Sequence, residues 1–250
     1  MDNLRIFITG ITGAMGKALL ETKEEDISIV GGIGEKVIKI KDKIPVFDKW
    51  KEVNIDFDLI IDFSAANKVS DWLDFALSTN TPILVATTGI SKTTMEKMNK
   101  TALKIPVFYS QNMSYGIFVL KKLIQNAAIL LEDYDIELIE AHHRYKKDSP
   151  SGTAYLLAKA LQEIRDLEVV YDRSPKNECR NKKELGIFSV RGGTVPGDHS
   201  VLFLGEDEIL ELKHRAYSKK IFAKGAYKAG KWLVKQKPGF YSMEDMVKDG

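Results

Sequence analysis

Along the N-terminal part of the chain, short apolar runs alternate with amphipathic helical stretches, the pattern that parallel βαβ units leave in a sequence. The spacing predicts strands at Leu4 to Thr9, Ile27 to Ile33, Leu59 to Phe63, Ile83 to Ala86 and Val107 to Tyr109, with Pro82 and Pro106 marking strand entries. Between them, Ala14 to Glu25, Asn67 to Ser78 and Ser91 to Thr101 read as helices. The connection from Gly34 to Asp56 carries no clear period, and Pro45 is a candidate for a short extra strand. From Tyr115 the pattern changes. A helix to about Leu131 leads into an alternating strand over Asp135 to Ala141, and a further helix is predicted over Thr153 to Arg165. Strands follow at Glu168 to Tyr171, Ile187 to Arg191, Ser200 to Leu204 and Ile209 to His214, then a last long helix at about Lys219 to Lys235. Several strands with few crossover helices predict a mixed or antiparallel sheet. The fold class is therefore α/β. A doubly wound parallel sheet is expected in residues 1–112, joined by the C-terminal helix within 217–250, and residues 113–216 are expected to form a second, α+β domain on a mixed sheet. No Gly/Ser linker and no internal repeat marks the boundary.

Composition narrows the function without choosing it. With 37 Lys plus Arg against 35 Asp plus Glu, the formal charge is +2, so no nucleic-acid partner is expected and any anion must be caught locally. The single cysteine, Cys179, excludes an intrachain disulfide and lies in a polar run, Lys176 to Lys183, that reads as a surface loop rather than a nucleophile's cleft. No apolar run approaches membrane-spanning length, and the first nine residues lack the features of an export signal. No membrane partner is expected, and the cytoplasm is the expected compartment.

Gly10-Ile11-Thr12-Gly13-Ala14-Met15-Gly16 follows an apolar strand and opens a helix. Such a turn lets backbone approach a pyrophosphate while the helix N-terminus supplies oriented N–H groups. The GxxGxxG spacing is a variant of the usual dinucleotide fingerprint, and glycines also simply permit tight turns. Glu35, just past the second strand, is placed to accept hydrogen bonds from an adenosine ribose, or else is a solvated loop acid. The loops Ala86-Thr87-Thr88-Gly89 and Ser110-Gln111-Asn112-Met113-Ser114 follow later strands and are expected to face the same crevice. Asp62 reads either as part of that crevice or as a cap for the helix after it.

The densest chemistry lies in Glu140-Ala-His142-His143-Arg144-Tyr-Lys146-Lys147-Asp-Ser-Pro-Ser151-Gly152-Thr153. Imidazole titrates near neutrality, and Ser151 is a candidate N-cap whose helix would offer N–H groups beside Arg144, Lys146 and Lys147. That combination suits a carboxylate and a proton transfer. Strand alternation turns His142 and His143 to opposite faces. No metal is expected, because His142, His143, His199, His214 and Cys179 lack the local spacing of a zinc site.

That segment closely resembles the signature of the 4-hydroxy-tetrahydrodipicolinate reductases, also called dihydrodipicolinate reductases. The resemblance extends over nearly the whole chain, through the glycine turn, Ile60 to Ser64, Thr87 to Gly89, Asn112 to Ser114, Arg191 to His199 and Glu211 to Ala216. It implies a nicotinamide-dependent reductase of the diaminopimelate and lysine pathway, with a Rossmann-like first domain and a homotetramer held by the second. It implies a cofactor site, for NADH or NADPH, at Gly10, Ile11, Thr12, Gly13, Ala14, Met15, Gly34, Glu35, Ala86, Thr87, Thr88, Ser110, Gln111, Asn112 and Met113. A small dicarboxylate substrate would meet His143, Lys146, Ser151, Gly152 and Thr153, and the acid/base pair would be His142 and Lys146. Gly34 stands where the family often has its ribose-binding acid, Ala86 where glycine is common and Met113 where phenylalanine is common. Glu35 disfavours a 2′-phosphate whereas Lys36 and Lys39 favour one, so both nicotinamides stay open. Another nicotinamide reductase of a small acid, or a nucleotide-sensing protein without turnover, is the alternative reading.

Overall fold

A computed structural model describes residues 3–34 and 44–248. The chain divides into two compact units, Met1–Ser114 with Lys219–Gly250, and Tyr115–Ser218.

In the first unit, β1 (Leu4–Thr9), β2 (Ile27–Ile33), β3 (Val46–Phe47), β4 (Leu59–Asp62), β5 (Ile83–Val85), β6 (Pro106–Tyr109) and β12 (Gly239–Tyr241) form one sheet in the order β12-β6-β5-β4-β1-β2-β3. Every pairing is parallel. α1 (Ala14–Glu21), α2 (Val69–Ser78), α3 (Lys92–Ala102) and α6 (Lys220–Leu233) accompany it, and α7 (Met243–Lys248) ends the described chain. The central strands are buried on both faces, which is why they read as continuous apolar runs. On one side Phe7, Ile60, Val69, Leu73, Phe75 and Val107 share a core. On the other, α6 presses close: a Cβ on Gly225 would lie 1.7 Å from the Met113 carbonyl oxygen, so only glycine fits there. Tyr227 donates its hydroxyl hydrogen to the Leu19 carbonyl at 2.6 Å, tying α6 to α1.

The chain runs outward from β1 through β2 to β3, then returns to the other side of β1 with β4. The carboxyl ends of β1 and β4 therefore bound a switch point, where such sheets open a ligand crevice. Asp62 closes its floor. Its carboxylate is fully buried and accepts hydrogen bonds from the Thr9 hydroxyl at 2.5 Å, the Ser64 hydroxyl at 2.5 Å and the Thr87 hydroxyl at 2.6 Å. One side chain thus ties together the strand ends of β1, β4 and β5, and it does not cap the helix that follows. Burial pushes the Asp62 carboxyl upward, against the pull of those hydroxyls. Asp62→Ala leaves the buried Thr9 and Thr87 hydroxyls without this acceptor, at a cost of about 1–3 kcal/mol. Urea unfolding of the two proteins measures the loss, and equal midpoints would remove Asp62 from the account.

In the second unit, β7 (Asp135–His142), β8 (Glu168–Val170), β9 (Glu184–Arg191), β10 (Gly197–Leu204) and β11 (Ile209–Ala216) form a sheet in the order β11-β10-β7-β9-β8. It is mixed: β10 runs antiparallel to β7 and β11, whereas β9 runs parallel to β7 and β8. α4 (Tyr115–Leu130) and α5 (Gly152–Gln162) cover one face, packing Ile117, Leu120, Ile124, Leu157 and Leu161 against Ile136, Leu138, Ile187, Val201 and Phe203. The other face is open and carries exposed Ile139, Phe188 and Val190. Cys179 is exposed in the segment between β8 and β9.

Strands β1 and β2 have the bounds that apolar spacing predicts, and β3 follows Pro45, whose carbonyl accepts from Gly32 at 3.1 Å. β12 and α7 lie outside the predicted elements. Three residues are too few for a period to show, and β12 is a strand because the edge of β6 is there to pair with it.

Candidate active site

In the first unit the residues singled out in the sequence gather at the carboxyl edge of the sheet. The turn after β1 holds Gly10 at φ +81°, where a side chain would also meet the Phe63 carbonyl oxygen at 2.6 Å. Gly13 is the N-cap of α1, and no side chain caps the helix. Gly16 lets α1 approach the turn, since a Cβ there would fall 2.2 Å from the Ile11 carbonyl oxygen. Gly34 lies beside Thr12, whose side chain would be 2.5 Å from any Cβ at that position. Ala86 and Thr87 are buried and Thr88 is exposed beyond β5. Beyond β6, the Ser110 hydroxyl donates to the Asn112 carbonyl at 2.7 Å, Asn112 Oδ1 accepts from the Ser114 N–H at 2.8 Å, Gln111 is exposed and Met113 is buried. Ile11 is buried, Ala14 and Met15 open α1, and Glu35, Lys36 and Lys39 lie outside the described residues.

In the second unit the histidine segment leaves the end of β7. Alternation along β7 puts Ile136, Leu138, Glu140 and His142 on the helix-covered face. Across the sheet, Glu140 faces Ser189 of β9 and His199 of β10, while His142 faces Arg191 of β9. Opposite His142 on β10 stands Gly197, where a Cβ would lie 3.0 Å from His142 Nε2; the missing side chain makes room for the imidazole. His142 Nδ1 is hydrogen-bonded to Glu140 Oε2, and the Arg191 guanidinium pairs with Glu140 Oε1 at 2.6 Å. Burial resists the Glu140 charge most, yet the hydrogen bonds from His142 and Arg191 prevail and hold its carboxyl down to about 2. His199, its ring centre 5.2 Å from that of His142, is driven down to about 3 by burial first and by His142 next. It is therefore neutral, and its Nε2 lies 3.1 Å from the Ser151 hydroxyl.

Ser151 is the N-cap of α5, its hydroxyl accepting from the Ala154 N–H at 3.1 Å. Gly152 and Thr153 form the first turn, and the space around Gly152 is open, with nothing within 4 Å of a Cβ. Lys146 Nζ pairs with Asp148 Oδ1 at 2.9 Å, and this ammonium holds the Asp148 carboxyl below its usual range despite partial burial. His143 sits just past β7 with its Nδ1 buried and without a partner among the described residues. Arg144 is held through its N–H on the Gly193 carbonyl at 3.3 Å.

Sequence reasoning assigned no role to Glu140, Arg191 or His199. Glu140 was detectable as the i−2 neighbour of His142 on one strand face, whereas Arg191 and His199 arrive from other strands. Ligand atoms of Glu140, His142 and His199 come within 4.8 Å of one another, a grouping that local spacing does not reveal. Arg191 already supplies the positive charge on that carboxylate.

Acid should unfold the protein through this cluster. The Glu140 carboxyl titrates lower in the fold than in the unfolded chain, so its stabilisation is lost as pH falls from 4.5 toward about 2. His199 resists protonation in the fold while the unfolded chain takes up the proton, so stability falls already between 6.5 and about 3. The expected result is a denaturation midpoint that drops progressively below pH 6.5. A midpoint constant down to pH 4.5 contradicts a neutral buried His199.

Comparison with known proteins agrees along the whole chain. Residues 4–113 match the family model for the dihydrodipicolinate reductase N-terminus, and residues 116–247 match that for its C-terminus. The chain is 40% identical over 251 residues to a 4-hydroxy-tetrahydrodipicolinate reductase of Caldanaerobacter subterraneus subsp. tengcongensis, covering 99% of each. It is 43% identical over 249 residues to that of Staphylococcus carnosus, covering 97% of this chain and 99% of the relative. Among solved structures, a dipicolinate-bound dihydrodipicolinate reductase from Paenisporosarcina sp. TG-14 superposes with a TM-score of 0.81 at 25% identity, over 97% of this chain and 99% of that one. A DAP dehydrogenase of C. glutamicum shares the fold at TM-score 0.57 and 15% identity, over 97% of this chain and 93% of that one. With two family matches that together span residues 4–247, full-length relatives and the histidine segment at the end of β7, the chain belongs to the dihydrodipicolinate reductase family.

Proposed function

We propose that this protein is a 4-hydroxy-tetrahydrodipicolinate reductase that uses NADH or NADPH and acts in diaminopimelate and lysine biosynthesis. The observation that carries the reading is the histidine segment. It joins a buried carboxylate–imidazole pair, a lysine ammonium and a serine-capped helix start within fourteen consecutive residues, Glu140 to Thr153.

The glycine turn, Gly34 with Glu35, Ala86 to Thr88 and Ser110 to Met113 would hold the dinucleotide, the pyrophosphate resting on the uncapped start of α1. When bound, the reduced nicotinamide supplies a hydride, two electrons and a hydrogen, to the conjugated cyclic imine left when the 4-hydroxyl departs as water. Everything else falls to side chains. The first turn of α5, through Gly152 and Thr153, donates N–H groups to one carboxylate, and Ser151 holds that turn in shape. His143 and Lys146 take the rest of the dicarboxylate, Lys146 exchanging Asp148 for substrate. As the electron pair moves through the ring, the Lys146 ammonium offsets the developing negative charge, and a proton from His142 or Lys146 completes the reduction. The exposed Ile139, Phe188 and Val190 on the open sheet face favour a homotetramer joined through the second unit.

The test is nicotinamide oxidation followed by absorbance with each cofactor, supplying substrate freshly from a dihydrodipicolinate synthase. Oxidation dependent on that substrate is expected. No oxidation with either cofactor, from protein that binds them, points instead to a nucleotide-sensing protein.

A further inference from the structure

We propose that Glu140 is a positioning residue for the reduction, clamped by Arg191, and that it makes His142 Nε2 the atom that delivers the proton. The inference rests on the reading of the site given above and deepens it.

The argument begins with register. Glu140 and His142 share one face of β7 because they are two residues apart, and the parallel pairing with β9 sets Arg191 directly across from His142. Arg191 Nη2 donates to Glu140 Oε1 at 2.6 Å and to the Asp148 carbonyl at 2.9 Å, while its Nη1 donates to the Val190 carbonyl at 2.8 Å. The guanidinium is thereby held at the mouth of the histidine segment. With one carboxylate oxygen on Arg191, the other faces His142 Nδ1. A carboxylate only accepts, so Nδ1 is the protonated nitrogen in either charge state of the ring. The exchangeable proton then belongs to Nε2, which lies beside Gly197, where a Cβ would come within 3.0 Å of it.

The other charged and titratable groups facing this imidazole leave the role to Glu140. From β9 comes Arg191, a permanent cation that cannot receive the Nδ1 hydrogen. From β10 comes His199, neutral and engaged with Ser151, with Asp198 beside it pairing instead with Arg215 at 2.7 Å. From β11 comes His214, one strand further out. Among the described residues, Glu140 is the carboxylate that accepts from this ring and fixes its orientation. Lys146, which carries an ammonium already paired with Asp148, then serves as the fixed positive charge.

In the step itself, hydride adds to one carbon of the conjugated imine and the electron pair moves toward the ring nitrogen. The His142 Nε2–H bond breaks and a C–H bond forms at the neighbouring carbon. The imidazolium becomes neutral imidazole with Nδ1–H still on Glu140, and water restores the proton after product leaves.

The test compares Glu140→Gln, Arg191→Gln and His142→Gln in the full-length enzyme, recording kcat across pH with saturating substrate and cofactor. A protonated donor gives a kcat that declines at high pH. In Glu140→Gln the orienting acceptor remains but the charge is gone, so that decline is expected about one pH unit lower, and kcat above it falls about tenfold or more, with cofactor affinity unchanged. In Arg191→Gln the competing cation is gone, so the decline moves to higher pH. Opposite displacements by neighbouring substitutions are not what a general loosening of the site produces. Should Glu140→Gln fail to fold, Arg191→Gln decides alone, and an unmoved or lowered decline overturns the proposal. Wild-type profiles in both, beside an inactive His142→Gln, refute the role of Glu140 and leave the reading of the site intact. Wild-type turnover in His142→Gln overturns the proposal and assigns proton delivery to Lys146, whereas absence of substrate-dependent oxidation in the wild type is what removes the reading of the site.

Discussion

Replacing His142 by glutamine should lower kcat by about a hundred- to ten-thousandfold, the usual range for losing a positioned general acid. The amide can still occupy the space over Gly197 and still reach Glu140, so packing is largely kept. What disappears is the ring N–H that the proposal makes the proton donor. The residues proposed to hold the dinucleotide belong to the first unit, so titration with NADH or NADPH is expected to give the wild-type dissociation constant. Steady-state turnover beside a cofactor titration separates the two effects. Turnover near the wild-type value would assign proton delivery to Lys146 instead.

Lys146→Ala is the second large effect, with kcat/KM expected to fall by about a hundred- to a thousandfold, as when an electrostatic stabiliser of developing charge is removed. Its ammonium pairs with Asp148, a carboxylate whose side chain is 60% exposed. The lysine side chain itself is 20% exposed, so a melting curve of the variant is read beside its kinetics to separate a weakened fold from lost chemistry. The division between kcat and KM carries the mechanism. A fall in kcat means that Lys146 acts on the transition state, whereas a rise in KM alone means that it only holds the substrate's carboxylate. An unchanged kcat/KM would take Lys146 out of the site.

Much of the architecture was legible in the chain because it is local. Apolar runs bounded by Asn3 and Gly10, and by Asp26 and Gly34, define β1 and β2, and the serine before a helical period foretells the cap of α5. The glycine turn was equally readable, since a Cβ at Gly10 or Gly16 would strike backbone a few residues or one strand away. Asp62 was ambiguous for the same reason. A carboxylate before a helix can always be a cap, and only the adjacency of β1, β4 and β5 turns it into the tie between Thr9, Ser64 and Thr87. β12 was missed because its strand character comes from its neighbour and not from its own three residues.

The sequence by itself determined the βαβ pattern, the dinucleotide-type turn, the concentration of proton-transfer and anion-binding groups from Glu140 to Thr153, and the family to which those motifs point. Tertiary structure alone decided which groups surround His142. Arg191 reaches it because β9 lies parallel on one side of β7, and His199 because β10 lies antiparallel on the other. Strand order and register are long-range choices made by burying one apolar face, and no spacing along the chain records them. The charge on Glu140, the neutrality of His199 and the room over Gly197 follow from that pairing.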